Sequence, residues 1–206
     1  MRDKRVRVFG WFAALVLGVG MAAAAWAGLP VFGGTGTAAF VAAGASSTFA
    51  LEVDVSERRL YVKEYGEVVR SFPVAVGRPG NPTPRGSFRV RHMIWNPRWV
   101  PPDAAWAREK TAKAPGDPRN PMGRVKIFFR EPDYYIHGTR EVDSLGQAES
   151  RGCIRMRNSD VVSLARLVMS KGGTPRDPSW FRRVLNRVTR SQEVYLERSI
   201  PFTVRS

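Results

Sequence analysis

Cysteine and histidine are almost missing from this sequence. Its 206 residues contain one cysteine, Cys153, and two histidines, His92 and His137. A single cysteine excludes a disulfide framework within the chain, and in an oxidising compartment it leaves a thiol open to oxidation. A free cysteine is most often a small buried hydrophobic residue. A chemical role for Cys153 must therefore be argued from its neighbours.

Acidic residues are scarce as well. Lys and Arg number 33 against 18 Asp and Glu, which gives a formal net charge of +15. Nucleic-acid binding would suit such a charge, but the basic residues are scattered and no nucleic-acid motif appears, so we expect no nucleic-acid partner. Attraction to an anionic cell envelope, through wall polymers or phospholipid head groups, explains the same charge.

Internal repeats are not visible, and the 43% apolar composition suits one domain behind a short leader. Residues 1–27 begin with basic side chains, continue in an apolar run from Phe9 and end in Ala25-Trp26-Ala27, which predicts a secretory signal peptide. The run is nearly long enough to span a bilayer, so an uncleaved N-terminal membrane anchor is the alternative. Either leader places the rest of the chain outside the cytoplasm, in the periplasm or the extracytoplasmic cell wall.

Strand patterns dominate the chain beyond this leader. Residues 28–47 carry no charge and are rich in Gly, Ala, Ser and Thr, which indicates a linker. From residue 48 the apolar positions alternate, as in Phe49, Leu51 and Val53. Further stretches of this kind read LYVKE, VVRSFPVAVG, SFRVRHMIW, RVKIFF, YYIHG and EVYLERSIPFTV. We therefore expect a mostly β domain over residues 48–206, with His92 a half-exposed strand residue.

One or two helices are expected after Cys153. Residues 158–173 read NSDVVSLARLVMSKGG, in which Asn158 or Ser159 is a candidate N-cap and the closing glycine pair a stop. A second helix is predicted to open at Asp177-Pro178.

His137 and Cys153 are the candidate catalytic pair. A thiol attacks a carbonyl as the thiolate, and a nearby imidazole is a common way to produce one. His137 ends an apolar strand, Cys153 follows Gly152 where a loop returns to the sheet, and residues 140–151 lie between them. Two adjoining strand ends would bring the side chains together beneath that loop.

Acyl transfer also needs donors for the developing oxyanion and a partner that orients the histidine. Backbone N–H groups around Gly152 and Cys153 suit the first role, because glycine lets the chain turn them toward a substrate. For the second role, Asp143 and Glu149 in the loop are the acidic candidates.

The sequence here resembles a known family. The ordered motifs IHGT, SLG and SRGCIRMRN, preceded by FPVAVGRPGNPTPRGSFRV, NPRW and NPMG, are similar to the L,D-transpeptidase catalytic domain of the YkuD type. The resemblance covers nearly all of residues 48–169 and weakens beyond Gly173, so residues 174–206 are expected to form a C-terminal extension. It implies a β-sandwich with one or two helices after the cysteine.

The resemblance also implies residue roles. Cys153 would be the nucleophile and His137 its base, oriented by the backbone carbonyl of Gly138 and not by an acid. The amides of Arg151, Gly152 and Cys153 would form the oxyanion hole, Ser150 would shape that turn, and Arg155 would help to hold the site or the substrate. Many family members carry His where this chain has Arg151.

The implied reaction is acylation of Cys153 by a peptidoglycan tetrapeptide stem, with release of D-alanine and transfer of the acyl group to an amine, without metal or cofactor. An L,D-carboxypeptidase, or an enzyme that attaches a protein to the wall, would use the same site. A non-catalytic wall-binding module is the alternative of a different class.

Overall fold

The computed structural model describes residues 48–186 and 189–206. These residues contain ten strands and two α-helices. The predicted leader and linker, residues 1–47, lie outside this range. The strands are β1 (Phe49–Asp54), β2 (Arg59–Glu64), β3 (Glu67–Pro73), β4 (Val76–Gly77), β5 (Gly86–Trp95), β6 (Val125–Arg130), β7 (Tyr134–Thr139), β8 (Ala148–Ser150), β9 (Ile154–Arg157) and β10 (Gln192–Arg205). The helices are α1 (Asn158–Lys171) and α2 (Pro178–Asn186), so the expectation of a mostly β fold with helices after Cys153 is confirmed.

Eight strands form one mixed sheet in the order β3-β2-β1-β10-β5-β6-β7-β9. The pairs β1 with β10 and β7 with β9 are parallel, and the other neighbours are antiparallel. Strands β4 and β8 form a small parallel sheet. The two sheets meet beside the cysteine, where Ala75 and Arg155 exchange backbone hydrogen bonds of 3.0 and 2.9 Å.

The core lies between the large sheet and α1. Alternate residues of the strands face inward, and α1 adds Val161, Leu164 and Val168 at helical spacing, all of them fully buried. Burial of one such side chain contributes about 1.5–3 kcal/mol. Packing of this apolar stripe therefore fixes α1 directly behind the strands that carry the candidate site.

Three local predictions were wrong. The stretch VVRSFPVAVG is two strands, β3 and β4, because Val74 bonds to Arg58 and Ala75 turns to pair with Arg155. His92 is buried at 6% exposure, since its ring stacks 4.3 Å from Phe128 and 5.1 Å from Tyr195.

The predicted N-caps of α1 were the third error. Its N-cap is Arg157, which makes no side-chain capping bond. The side chain of Asn158 instead bridges the segment before β6 and the end of β7. Its Oδ1 accepts from the Arg124 N–H at 3.0 Å, and its Nδ2 donates to the Thr139 carbonyl at 3.1 Å.

The predicted start of α2 is confirmed. Asp177 Oδ1 accepts from the backbone N–H groups of Ser179 and Trp180 at 2.7 and 3.1 Å, as an N-cap does. Neither helix in the described ranges has the length and apolar character required to cross a bilayer.

Candidate active site

Strands β7 and β9 place the candidate pair on one face of the sheet. Their parallel register sets Ile136 opposite Ile154, and both of these side chains are fully buried. Because side chains alternate along a strand, the residues on either side of them face the other way. Tyr135, His137, Cys153 and Arg155 therefore share a face, and they line one cavity of about 980 Å³.

Cys153 lies half-buried immediately before β9, with Sγ 3.3 Å from the carbonyl oxygen of Asp133, to which the thiol donates. Burial raises the pKa of Cys153, because the thiolate loses solvation. Hydrogen-bonding groups of Tyr135, from its backbone and its side chain, and the charges of Lys126 and Arg155 lower that pKa, but less than burial raises it. The resting cysteine is therefore held as the thiol.

His137 is held as a neutral base. It is 4% exposed, and its Nδ1 lies 2.8 Å from the Gly138 carbonyl, an acceptor that fixes the proton on Nδ1. Burial lowers the pKa of His137 to about 4, the Gly138 carbonyl opposes this shift, and the charge of Arg155 adds to it. With the proton on Nδ1, the lone pair lies on Nε2, where a neutral imidazole can accept a proton near neutral pH. A hydrogen bond to the Pro121 carbonyl also acts on the ring and opposes the lowered pKa.

The two acidic residues proposed from the sequence to orient His137 do not do so. Among the described residues, no hydrogen bond or ion pair joins His137 to Asp143 or Glu149, and both acids are exposed. The Gly138 carbonyl stands in the position that the family resemblance implies for the orienter.

Ser150 and Gly152 shape the turn before the cysteine. Ser150 Oγ accepts from the Gly152 N–H at 3.1 Å and donates to the Cys153 carbonyl at 2.5 Å. Gly152 has φ +103°, and a Cβ there would lie 2.8 Å from a ring carbon of Tyr134. Only glycine therefore fits at this position. The Gly152 N–H is already bonded to Ser150 Oγ, so it could donate to an oxyanion only after that bond is given up.

The two arginines of the motif differ in their contacts. Arg155 forms a 2.6 Å ion pair with Glu141 at the cavity rim. Arg151 lies with its guanidinium 3.9 Å from the ring centre of Trp106, a cation–π contact. Trp106 belongs to the long β5–β6 connection, so Arg151 ties this loop to the turn that carries Cys153.

Lys126 and Tyr135 were missed by the sequence reasoning. Strand β6 pairs with β7 so that Lys126 lies opposite His137, and its Nζ is 4.0 Å from the centre of the Tyr135 ring. Burial lowers the pKa of Lys126 and raises that of Tyr135. A signal was present, because the alternation in RVKIFF turns Lys126 away from the core face.

The cavity as a whole is cationic. Seven basic side chains line it against three acidic ones, so its field favours a substrate that carries carboxylates. The basic residues are Arg98, Lys110, Lys113, Arg119, Lys126, Arg151 and Arg155, and the acidic ones are Glu109, Asp133 and Glu141.

A buried histidine and a half-buried cysteine that line one cavity suit the class of thiol-dependent acyl-transfer sites. Residues 48–183 match the family YkuD, the L,D-transpeptidase catalytic domain, and the chain belongs to this family. The resemblance inferred from the motifs is thereby confirmed.

Proteins assigned by name to this family are similar over more than half of the chain. The YkuD protein of Bacillus licheniformis, assigned by name to the L,D-transpeptidases, is 32% identical over 120 residues, which are 58% of this chain and 60% of the relative. The ErfK/SrfK protein of Salmonella typhimurium, assigned likewise, is 38% identical over 119 residues, 53% of this chain and 38% of the relative. The chain thus spans less than two thirds of either relative's length.

A solved L,D-transpeptidase structure from Mycobacterium smegmatis aligns with 77% of this chain and 59% of its own, at 17% identity and a TM-score of 0.49. The family assignment rests on the sequence match.

Proposed function

We propose that the protein is an L,D-transpeptidase that forms a thioester between Cys153 and a peptidoglycan tetrapeptide stem and transfers the acyl group to an amine. The observation that carries the proposal is the shared cavity of His137 and Cys153, within a chain of the YkuD family. The cationic lining of the cavity supports it further, since stem peptides carry carboxylates.

Acylation begins with the neutral pair. As Cys153 Sγ attacks the carbonyl carbon of the third stem residue, the thiol proton passes to His137 Nε2, and the carbonyl oxygen becomes an oxyanion. Backbone N–H groups of the turn at Arg151 to Cys153 stabilise that oxyanion. The C–N bond to D-alanine then breaks, the imidazolium protonates the leaving amine, and a thioester remains on Cys153.

Deacylation reverses the proton path. An amine of a second stem attacks the thioester, His137 takes its proton, and the C–S bond breaks to return the thiolate, which is then reprotonated. The product is a 3-3 crosslink. Water in place of the amine would give a carboxypeptidase, and Cys153 and His137 would keep the same roles.

Export is part of the proposal. Peptidoglycan lies outside the cytoplasm, and the basic and apolar pattern of residues 1–27 suits a signal peptide or an N-terminal anchor that delivers the domain there. The net charge of +15 would hold the exported protein near an anionic envelope.

Intact mass spectrometry of the protein with a disaccharide-tetrapeptide tests the proposal. We expect an acyl adduct or loss of D-alanine with the wild type, none with Cys153→Ala, and slow reaction with His137→Ala. Asp143→Asn is the matched control and should react at the wild-type rate, because among the described residues no hydrogen bond or ion pair joins Asp143 to His137. A carbapenem-type β-lactam should acylate the same cysteine.

The product masses separate the alternatives. A crosslinked dimer supports transpeptidation, and a free tripeptide indicates a carboxypeptidase. A folded protein that gives neither adduct nor turnover would refute the enzyme and favour a wall-binding module.

A further inference from the structure

Lys126 lies in the row of side chains that crosses the sheet through His137. In the β6–β7 register Lys126 is directly opposite His137, and in the β7–β9 register Arg155 is opposite it on the other side. Residues paired in this way have side chains about 5 Å apart at Cβ and point to the same face. All three line the cavity that holds Cys153, so the histidine stands between two cations.

The two cations have different surroundings. The guanidinium of Arg155 is neutralised by Glu141 at 2.6 Å. Within residues 48–186 and 189–206, the ammonium of Lys126 forms no such ion pair, and its close neighbours are the rings of Tyr135 at 4.0 Å and Phe128 at 5.0 Å. Lys126 is therefore a half-buried cation whose field is not cancelled by a paired carboxylate.

Tyr135 connects this cation to the nucleophile. Its ring lies under the Lys126 ammonium, and its backbone and side-chain hydrogen-bonding groups face the sulfur of Cys153. Asp133 is the one acidic residue that acts on Lys126 and on Tyr135 from this side, through the turn between β6 and β7. A positive charge above the ring makes the phenol a better hydrogen-bond donor, and through space it attracts an anionic sulfur.

We propose that Lys126 is a positioning residue of this site, which stabilises the anionic sulfur of Cys153 through Tyr135 and through space. The stabilisation acts in both half-reactions. It acts on the sulfur as the thiol loses its proton and attacks, and again when the C–S bond of the thioester breaks and the thiolate leaves. The same cation, opposite His137, disfavours the imidazolium, which keeps the base neutral before attack and makes it a stronger acid toward the leaving amine.

This inference rests on Cys153 as the nucleophile of the proposed function, but it can be measured on the thiol without any stem peptide. Cys153 is the only cysteine of the chain, so alkylation reports this site alone. The rate with iodoacetamide against pH gives the midpoint at which the thiol becomes reactive. Iodoacetate is anionic, so the ratio of its rate to that of iodoacetamide reports the local positive potential.

Lys126→Met and Lys126→Gln remove the charge, and Lys126→Arg retains it. We expect each neutral variant to react about tenfold more slowly with iodoacetamide at a fixed pH below the midpoint, which is a midpoint shift of about one unit upward. The iodoacetate to iodoacetamide ratio should fall as well. Lys126→Arg should restore most of both effects, and Tyr135→Phe should raise the midpoint while it keeps the ring.

Lys110→Met is the matched control, because Lys110 is an exposed cation that lines the same cavity. It should leave the midpoint unchanged. A folded Lys126→Met or Lys126→Gln with the wild-type midpoint and ratio would overturn the proposal. Equal losses in Lys126→Arg and in the neutral variants would also overturn it, since they indicate packing and not charge.

The two proposals fail separately. A Lys126 effect on alkylation in a protein that releases no D-alanine would leave this inference standing and remove the transpeptidase. If the protein transpeptidates normally and Lys126→Met alters neither alkylation readout, the transpeptidase stands and the role of Lys126 is refuted.

Discussion

The side chain of Asn158 holds together the segments that frame His137, which leads to a stability prediction. It accepts from the Arg124 N–H at 3.0 Å and donates to the Thr139 carbonyl at 3.1 Å. A Cβ added at Gly123 or at Gly138 would lie 2.2 Å from Asn158 Oδ1, so both backbones approach this amide as closely as glycine permits. The start of α1, the end of β7 and the entry to β6 are thereby joined.

Asn158→Ala removes both hydrogen bonds and leaves a backbone donor and a backbone acceptor without these partners. Each lost bond costs about 0.5–1.5 kcal/mol net, and a buried group left unsatisfied costs about 1–3 kcal/mol. We therefore expect the free energy of unfolding to fall by about 3 kcal/mol. For a domain of this size 1 kcal/mol corresponds to about 2–4 °C, so Tm should fall by roughly 6–12 °C.

Urea unfolding monitored by circular dichroism measures this loss. Ser159→Ala is the control, because Ser159 is the adjacent, exposed residue, and its hydroxyl donates to the neighbouring Asp160 carboxylate at 3.2 Å. This variant should change stability by less than about 0.5 kcal/mol. Asn158→Asp keeps the acceptor but loses the donor to Thr139, so it should be destabilised at neutral pH and recover in part when acid protonates the carboxylate. A loss below 1 kcal/mol in Asn158→Ala, or an equal loss in Ser159→Ala, would refute the reasoning.

Three further predictions concern the site. Gly152→Ala places a Cβ 2.8 Å from the Tyr134 ring at φ +103°, so it should abolish acylation by substrate while iodoacetamide still labels Cys153, as mass spectrometry can show. Arg151→Gln loses a cation–π contact with Trp106 that is worth about 0.5–1 kcal/mol, so kcat/KM should fall at most about fivefold, and a larger fall would indicate direct substrate contact. Because the pKa of His137 is lowered to about 4 and only neutral imidazole accepts a proton, kcat/KM should decline as pH falls through about 4, and a decline near the ordinary pKa of about 6.5 would contradict this.

Much of the fold could be predicted because local pattern and tertiary structure agree. Period-two alternation located the strands from Phe49 onward, and the spacing of Val161, Leu164 and Val168 located α1. The candidate pair could be predicted for another reason. A lone cysteine after Gly152 and a histidine before Gly138 form a motif that is typical of acyl transfer through a thiol. The family matched by residues 48–183 agrees with that motif.

The features that were not predicted depend on strand pairing and on contacts between distant segments, which cannot be read from the sequence alone. Lys126 faces the cysteine because β6 pairs with β7 at one particular offset, and a lysine in a strand is usually solvated. Asn158 was predicted as an N-cap because asparagine is common at that position. Its side-chain amide instead bonds to two backbone segments that are distant in sequence. His92 was expected at the surface, whereas rings from β6 and β10 enclose it.

The burial of Cys153 and His137 would protect a free thiol in the exported protein that we propose, and it also sets what catalysis requires. Oxidants react with the thiolate, so a half-buried cysteine with a raised pKa is protected while no substrate is bound. The lowered pKa of His137 strengthens this protection, since an imidazolium that would stabilise the thiolate does not form at rest. The same burial makes charge separation costly at the moment of attack. The site therefore needs groups whose attraction acts on the sulfur anion and the oxyanion as they form. The Lys126 ammonium, held over the Tyr135 ring, is in place before the charge appears, whereas the Gly152 N–H must first exchange its bond to Ser150 Oγ.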